Sequence, residues 1–154
     1  NPAALVVRTN FYGWGPSYRP SFSDHILKSL AAGQELTLFT DVYYTPILAE
    51  TLALVVHKLA KSEKVGIYHV VGDEGISKFE FGVKLAIRFG YDEFLIRKSL
   101  LKDHNTLVKR PLNMSLSNQK TTDAICEKIG GVDEHIERLY EQQHSKLYKE
   151  IQQL

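Results

Sequence analysis

The chain has 154 residues, 44% of them hydrophobic and 24% charged, with a formal net charge of +1. That is one domain's worth of chain, enough to bury roughly two-thirds of its unfolded surface. No apolar run is long enough to span a bilayer and the charge gives no electrostatic argument for a nucleic-acid partner, while the single cysteine, Cys126, excludes an internal disulfide and fits a reducing, cytoplasmic compartment.

The chain opens Asn1-Pro2, without a methionine and without a charged, apolar, cleavable leader. It therefore reads as a processed chain or as a piece of something longer. Ala4 to Val7 form a continuous apolar run, as expected for a strand covered on both faces. Asn10 to Pro20 are loop, rich in glycine, proline and aromatics, and open sheets of the α/β class place ligands at such strand ends. Ser21 to Ala32 have helical spacing through Phe22, Ile26 and Leu30, with Gly33 as the stop. Leu36 to Phe39 suggest a short strand, and Asp41 to Tyr44 a turn with a few extended residues.

Thr45-Pro46 reads as a helix opening, threonine at the N-cap and proline at the first helical position. The amphipathic stretch after it runs for about four turns, and Lys58, Lys61 and Lys64 read as its solvated face. Gly66 to Gly72 is a second β-branched and aromatic strand. Ser77-Lys78-Phe79-Glu80 matches a capping box, and Phe79, Val83, Ala86 and Ile87 give the helix an apolar face that ends at Gly90. Residues 91 to 116 are irregular, with short extended pieces at Leu95-Ile96 and Met114 to Leu116. A helix from Lys120 to Ile129 stops at Gly130-Gly131, and it makes Cys126 a buried structural thiol. Val132, Ile136, Leu139, Leu147, Ile151 and Leu154 then line one stripe of a long terminal helix.

Two central strands separated by a helix imply a parallel pair with a right-handed crossover, so the fold class is α/β. Catalytic signatures are missing. Gly13-Trp14-Gly15 lacks the third glycine of a dinucleotide loop and reads as a tight turn. No phosphate loop ending in Lys-Ser or Lys-Thr exists, and the six histidines show no zinc-ligand spacing, so no metal site is expected. His69 reads as a structural histidine within a strand, and Ser77 and Ser117 as caps. By residue chemistry alone this is a binding domain with no catalytic residue.

Four segments, in order, carry a resemblance. ALVVRTNFYGWG, FTDVYYTPILAETLA, GIYHVVGDEGISKFEFGVKLA and KRPLNMSLSNQK resemble successive segments of the sugar-nucleotide extended short-chain dehydrogenases, and within them the RmlD-like, dTDP-4-dehydrorhamnose reductase group. The likeness covers essentially the whole chain. It implies the C-terminal portion of a Rossmann-like fold, parallel strands with a crossover helix plus a helical substrate-binding part, forming one unit over residues 1–154. Members of that family carry a glycine-rich dinucleotide half and a catalytic Tyr-x-x-x-Lys upstream of such a segment. None of the eight tyrosines here has lysine four positions on, so the resemblance implies that the N-terminal half is absent and that this chain alone is inactive.

Carried over residue by residue, the family's roles put Thr9 and Asn10 beside the nicotinamide end of the cofactor, with Asn10 also beside the sugar. Tyr12 and Trp14 would wall the sugar or base pocket. One residue fewer lies between Arg8 and Gly13 than in the commonest family pattern, which leaves the register at residues 10–12 open. Arg110 matches an arginine that reaches the diphosphate, an anion suited to a guanidinium fork, and Asn113 belongs to the same segment. The implied cofactor of the intact parent is NADPH or NADH, none of it held tightly by this chain alone. The implied partner is a nucleotide-diphospho-sugar, with no nucleic acid and no membrane. Epimerases and dehydratases of the superfamily use a similar half, and the non-catalytic regulatory subunit of methionine adenosyltransferase resembles the same group, so both remain alternatives. The open edge of the first strand is expected either to meet the missing half or to pair with a second copy in a homodimer.

Overall fold

In the computed structural model, which describes residues 3–104 and 110–153, the chain alternates short strands and helices. Asn1, Pro2, Lys109 and Leu154, used in the reading above, lie outside those residues, as does the side chain of Leu147. The elements in order are β1 (Leu5–Arg8), β2 (Phe11–Tyr12), α1 (Phe22–Ala31), β3 (Leu36–Phe39), β4 (Tyr43–Tyr44), β5 (Ile47–Leu48), α2 (Ala49–Lys61), β6 (Gly66–His69), β7 (Ile76–Ser77), α3 (Lys78–Phe89), β8 (Ile96–Ser99), α4 (Gln119–Ile125), α5 (Val132–Gln142) and α6 (Lys146–Gln153).

The two strands expected to be central do pair. β1 runs parallel to β6 with Leu5 opposite Gly66 and Arg8 opposite His69. A parallel pair needs a long crossover, and α1, β3 to β5 and α2 fill it. β2 is parallel to β5, β3 is parallel to β8, and β4 is antiparallel to β7. The α/β class is therefore as the sequence predicts.

Two apolar clusters hold these pieces. In the first, Phe81 is fully buried among Ile26, Leu30, Leu38, Leu85 and Leu139, which joins α1, α3, α5 and β3. In the second, Ile47, Val55, Leu59, Tyr68, Val70 and Ile129 pack with Leu5 and Val7. Burial of each full-sized side chain contributes about 1.5–3 kcal/mol. Helix starts are fixed by side-chain oxygens. Ser21 accepts from Asp24 N while Asp24 accepts from Ser21 N, and Ser77 and Glu80 repeat the exchange at α3. Gly33 and Gly90 follow α1 and α3 at φ +64° and +73°, the left-handed stops the sequence marks.

Several expectations are corrected. β1 is covered on one face only. Its alternate residues Leu5 and Val7 meet the second cluster, but Val6 and its partner Ile67 are each 47% exposed. A continuous apolar run does not reveal whether a second layer is present. Thr45-Pro46 does not open α2, because the Thr45 hydroxyl accepts from Leu116 N at 3.0 Å and donates to Leu116 O at 3.3 Å. Ile47 and Leu48 pair with β2 instead, and the helix begins at Ala49.

Ile96–Ser99 is a strand where the sequence shows only a two-residue extended piece, since Ile96 alone among its residues is buried and the apolar signal is weak. α4 ends at Ile125, and Cys126 takes a left-handed φ of 56° with its thiol exposed, not buried. The long terminal helix is in fact two. Ser145 donates to Gln142 O at 2.6 Å and accepts from Tyr148 N at 3.2 Å, stopping one helix and capping the next.

Candidate functional site

A cleft of about 640 Å³ opens between α1, β3, the start of α3 and the segment from Arg110 to Met114. Its walls are mostly apolar, with Phe22, Phe39, Val42, Leu101 and Met114, and the polar side chains entering it are His25, Thr37, Lys78 and Arg110. That is the composition of a small-molecule site, an apolar hollow with a few placed charges.

Backbone pairing sets the segment that brings Arg110 there. Tyr43 N donates to Leu112 O at 2.7 Å and Met114 N to Tyr43 O at 2.9 Å, so residues 112–114 lie along β4 as a short parallel strap. The Thr45–Leu116 exchange fixes the strap's far end, and the Asn10 amide donates to Met114 O at 3.2 Å. On the opposite wall the Asp41 carboxylate accepts from the amides of Leu101 and Lys102, at 2.8 and 3.3 Å, tying β3's exit to the turn after β8.

Lys78 also lines the cleft, and sequence reasoning did not single it out. The Ser77–Glu80 box sets its backbone at the first helical position, and its N–H donates to Val42 O at 2.9 Å. The side chain turns inward, with Nζ 3.4 Å from the Tyr44 ring centroid and 4.2 Å from that of Phe22. Burial pulls its pKa down to about 8. One signal was available. A cation in the first turn of a helix opposes the macrodipole, so a lysine inside the capping box asks for a reason outside the helix.

The sequence-named residues fall in different places. Arg110 lines the cleft, exposed and without an ion pair among the described residues. Asn113 is on the strap, its Oδ1 accepting from Ser115 N at 2.9 Å. Asn10 is on the strap's other side, bonded to Met114. Thr9 has a buried hydroxyl with no hydrogen-bond partner among the described residues, a polar atom left over at the end of β1.

Tyr12 is in the core, only 3% exposed, its ring edge-on to Phe81 at 4.8 Å. Burial pushes its hydroxyl well above the usual phenol range. Trp14 belongs to a second cleft of about 530 Å³ with Leu48, Ala53, Leu54 and Ile151. There its indole donates to Leu139 O at 3.1 Å and packs edge-on to Tyr148 and Phe89. The turn that presents it needs glycine, because a Cβ on Gly15 would stand 2.7 Å from Arg19 O and 2.9 Å from Ser21 N. The structure thus brings together Arg110, Asn113 and Asn10, adds Lys78, and sets Tyr12 and Trp14 apart from them.

Among the described residues no group of acidic, histidine and cysteine side chains is arranged to hold a metal ion, and no helix is long and apolar enough to cross a membrane.

Comparison with known proteins identifies a family and a shared fold. The RmlD substrate binding domain matches residues 1–145. The probable low-salt glycan biosynthesis reductase Agl14 of Haloferax volcanii is 32% identical over 114 residues, 72% of this chain and 38% of that protein. Among solved structures, a hypothetical dTDP-4-dehydrorhamnose reductase from Sulfolobus tokodaii is 28% identical with a TM-score of 0.66, covering 80% of this chain and 42% of its own. The dTDP-4-dehydrorhamnose reductase of Bacillus anthracis, in complex with NADP, shares the fold at a TM-score of 0.75 and 19% identity, over 90% of this chain and 48% of that one. The chain thus spans less than half the length of each of these relatives.

Proposed function

Since the chain belongs to the RmlD substrate-binding domain family, we propose that it is the nucleotide-sugar-binding half of an NAD(P)H-dependent reductase acting on a 4-keto sugar nucleotide. The observation that carries this reading is Arg110, a guanidinium without an ion pair among the described residues, at the mouth of an apolar cleft of nucleotide size. A guanidinium grips a diphosphate through paired N–H donors, and the apolar walls take the base or sugar. Asn10 and Asn113 hold the strap that aims it.

The nicotinamide supplies a hydride to the keto carbon when bound. At the end of β1, the Thr9 hydroxyl, buried and without a partner among the described residues, suits a polar edge of such a group. The proton for the new alcohol comes, in this reading, from a Tyr-x-x-x-Lys pair outside these 154 residues, the lysine lowering the tyrosine's pKa. The residues described here supply grip on the remote nucleotide, and that binding energy positions the reacting carbon. Val6 and Ile67, exposed on one face of the β1–β6 pair, together with β1's free edge, form the surface we assign to a dinucleotide-binding half.

Calorimetric titration with dTDP and with UDP tests the reading. Binding of either is expected, weakened about tenfold or more in Arg110→Ala, as for loss of a charged hydrogen bond. Absence of binding by both nucleotides, or equal affinity in the variant, would sink it.

A further inference from the structure

Neither the helix nor the core accounts for Lys78. Its position in the first turn of α3 is electrostatically unfavourable, and withdrawing an ammonium from water costs free energy unless it is paired. Among the described residues no carboxylate and no hydrogen-bond acceptor meets Nζ. Two aromatic faces meet it, Tyr44 at 3.4 Å and Phe22 at 4.2 Å. Cation–π contact offsets part of the desolvation, but it engages the charge and not the three ammonium N–H donors, for which no described residue supplies an acceptor. The same rings hold the long side chain in one place, so little rotamer freedom remains to be lost when an anion arrives. Arg110 lines the same cleft, and it too lacks an ion pair among the described residues.

We propose that Lys78 is a second anion-binding residue of this cleft, its ammonium taking one phosphoryl group of a diphosphate while Arg110 takes the other. This rests on the reading that the cleft receives a nucleotide. It adds that Lys78 is the residue that separates a nucleoside diphosphate or its sugar ester from a monophosphate. The charge count supports that role, since two cations in a cleft whose described lining holds no carboxylate match the two negative charges of a diphosphate diester.

The test is a titration of the wild-type chain, Lys78→Met and Lys78→Arg with dTDP and dTMP, with circular dichroism as the check on folding. Methionine keeps the aliphatic stack on Tyr44 and Phe22 and removes only the charge. Lys78→Met is expected to lose about 10–100-fold in dTDP affinity, with a much smaller change for dTMP and substantial recovery in Lys78→Arg. Wild-type dTDP affinity in Lys78→Met would overturn this inference while leaving the cleft's nucleotide reading intact. Equal losses for dTDP and dTMP would show that Lys78 only shapes the cleft, and would overturn it too. No binding of dTDP or UDP by the wild type would overturn both. A measurement that needs no variant is the acylation rate of Lys78 against that of exposed Lys28, followed by peptide mass spectrometry. Inorganic pyrophosphate is expected to slow the first and not the second, and an unchanged ratio would count against the proposal.

Discussion

The side-chain amide of Asn10, just past β1, donates to the Met114 carbonyl at 3.2 Å and so joins the sheet's end to the strap that carries Arg110. The other strap bonds come from Tyr43 and Thr45, so Asn10 is the link from the opposite side. Asn10→Ala is expected to cost about 1 kcal/mol of stability, the usual net worth of one such bond. Its sharper signature is local. Hydrogen exchange at the Met114 and Ser115 amides should speed up more than exchange in α3, and uniform acceleration would show that Asn10 has no special hold on the strap.

Trp14 is the chain's single tryptophan, and its indole bonded to Leu139 O sits between α5 and α6. Trp14→Phe keeps much of the ring packing and leaves the Leu139 carbonyl without this donor, a cost of about 1 kcal/mol. Trp14→Ala removes the contacts with Phe89 and Tyr148 as well, at about 3 kcal/mol or more. Urea midpoints that rank Ala below Phe below wild type would fit; a midpoint for Ala equal to wild type would not.

Much of this was legible in the chain. The Ser77–Glu80 capping box, the glycine stops and the parallel pair of apolar strands each announce themselves through local chemistry. Where local chemistry is borrowed by tertiary structure, the sequence misleads. Thr45 has the side chain of a cap but spends it on Leu116, seventy-one positions away. Tyr12 follows a binding-loop pattern yet turns into the core, because β2 pairs with β5 and aims it at Phe81. Lys78 is hidden within a strong helix signal, and only packing shows that Tyr44 and Phe22 hold it inside. Arg110 is legible through its family segment, while the cleft it lines is assembled from five stretches of chain.

His135 in α5 is fully buried, bonded through Nε2 to Ile129 O at 3.1 Å, and its Nδ1 has no partner among the described residues. Burial, the largest effect, holds its pKa below the ordinary 6.5, partly opposed by the Ile129 bond. In the unfolded chain the imidazole takes up its proton near 6.5, before the folded chain does. The unfolded state therefore binds more protons as pH falls through that value, and stability drops. Urea midpoints should decline on acidification from about pH 7 to about pH 5, and His135→Gln should flatten the decline. A wild-type midpoint that rises over this range would contradict the assignment.

Lys78 gives a dependence of the same sign on the alkaline side. Its folded pKa of about 8 lies below the ordinary 10.5 because the ammonium is buried. Below the folded value both states carry the proton, and the full desolvation penalty is present. Between about 8 and 10.5 the unfolded chain keeps a proton that the folded chain releases, so this group makes stability rise with pH. The titratable groups around it in the cleft are His25, Tyr44 and Arg110. Tyr44, buried beside it, has its own ionisation pushed well above the usual phenol range. Lys78→Met should therefore gain less stability than wild type on going from about pH 7 to about pH 9.5. A saturating diphosphate should also suppress the wild-type gain, because an anion on the ammonium holds its proton to higher pH. Identical alkaline profiles in wild type and Lys78→Met would mean that the lysine is solvated in solution and does not hold the inward position over Tyr44.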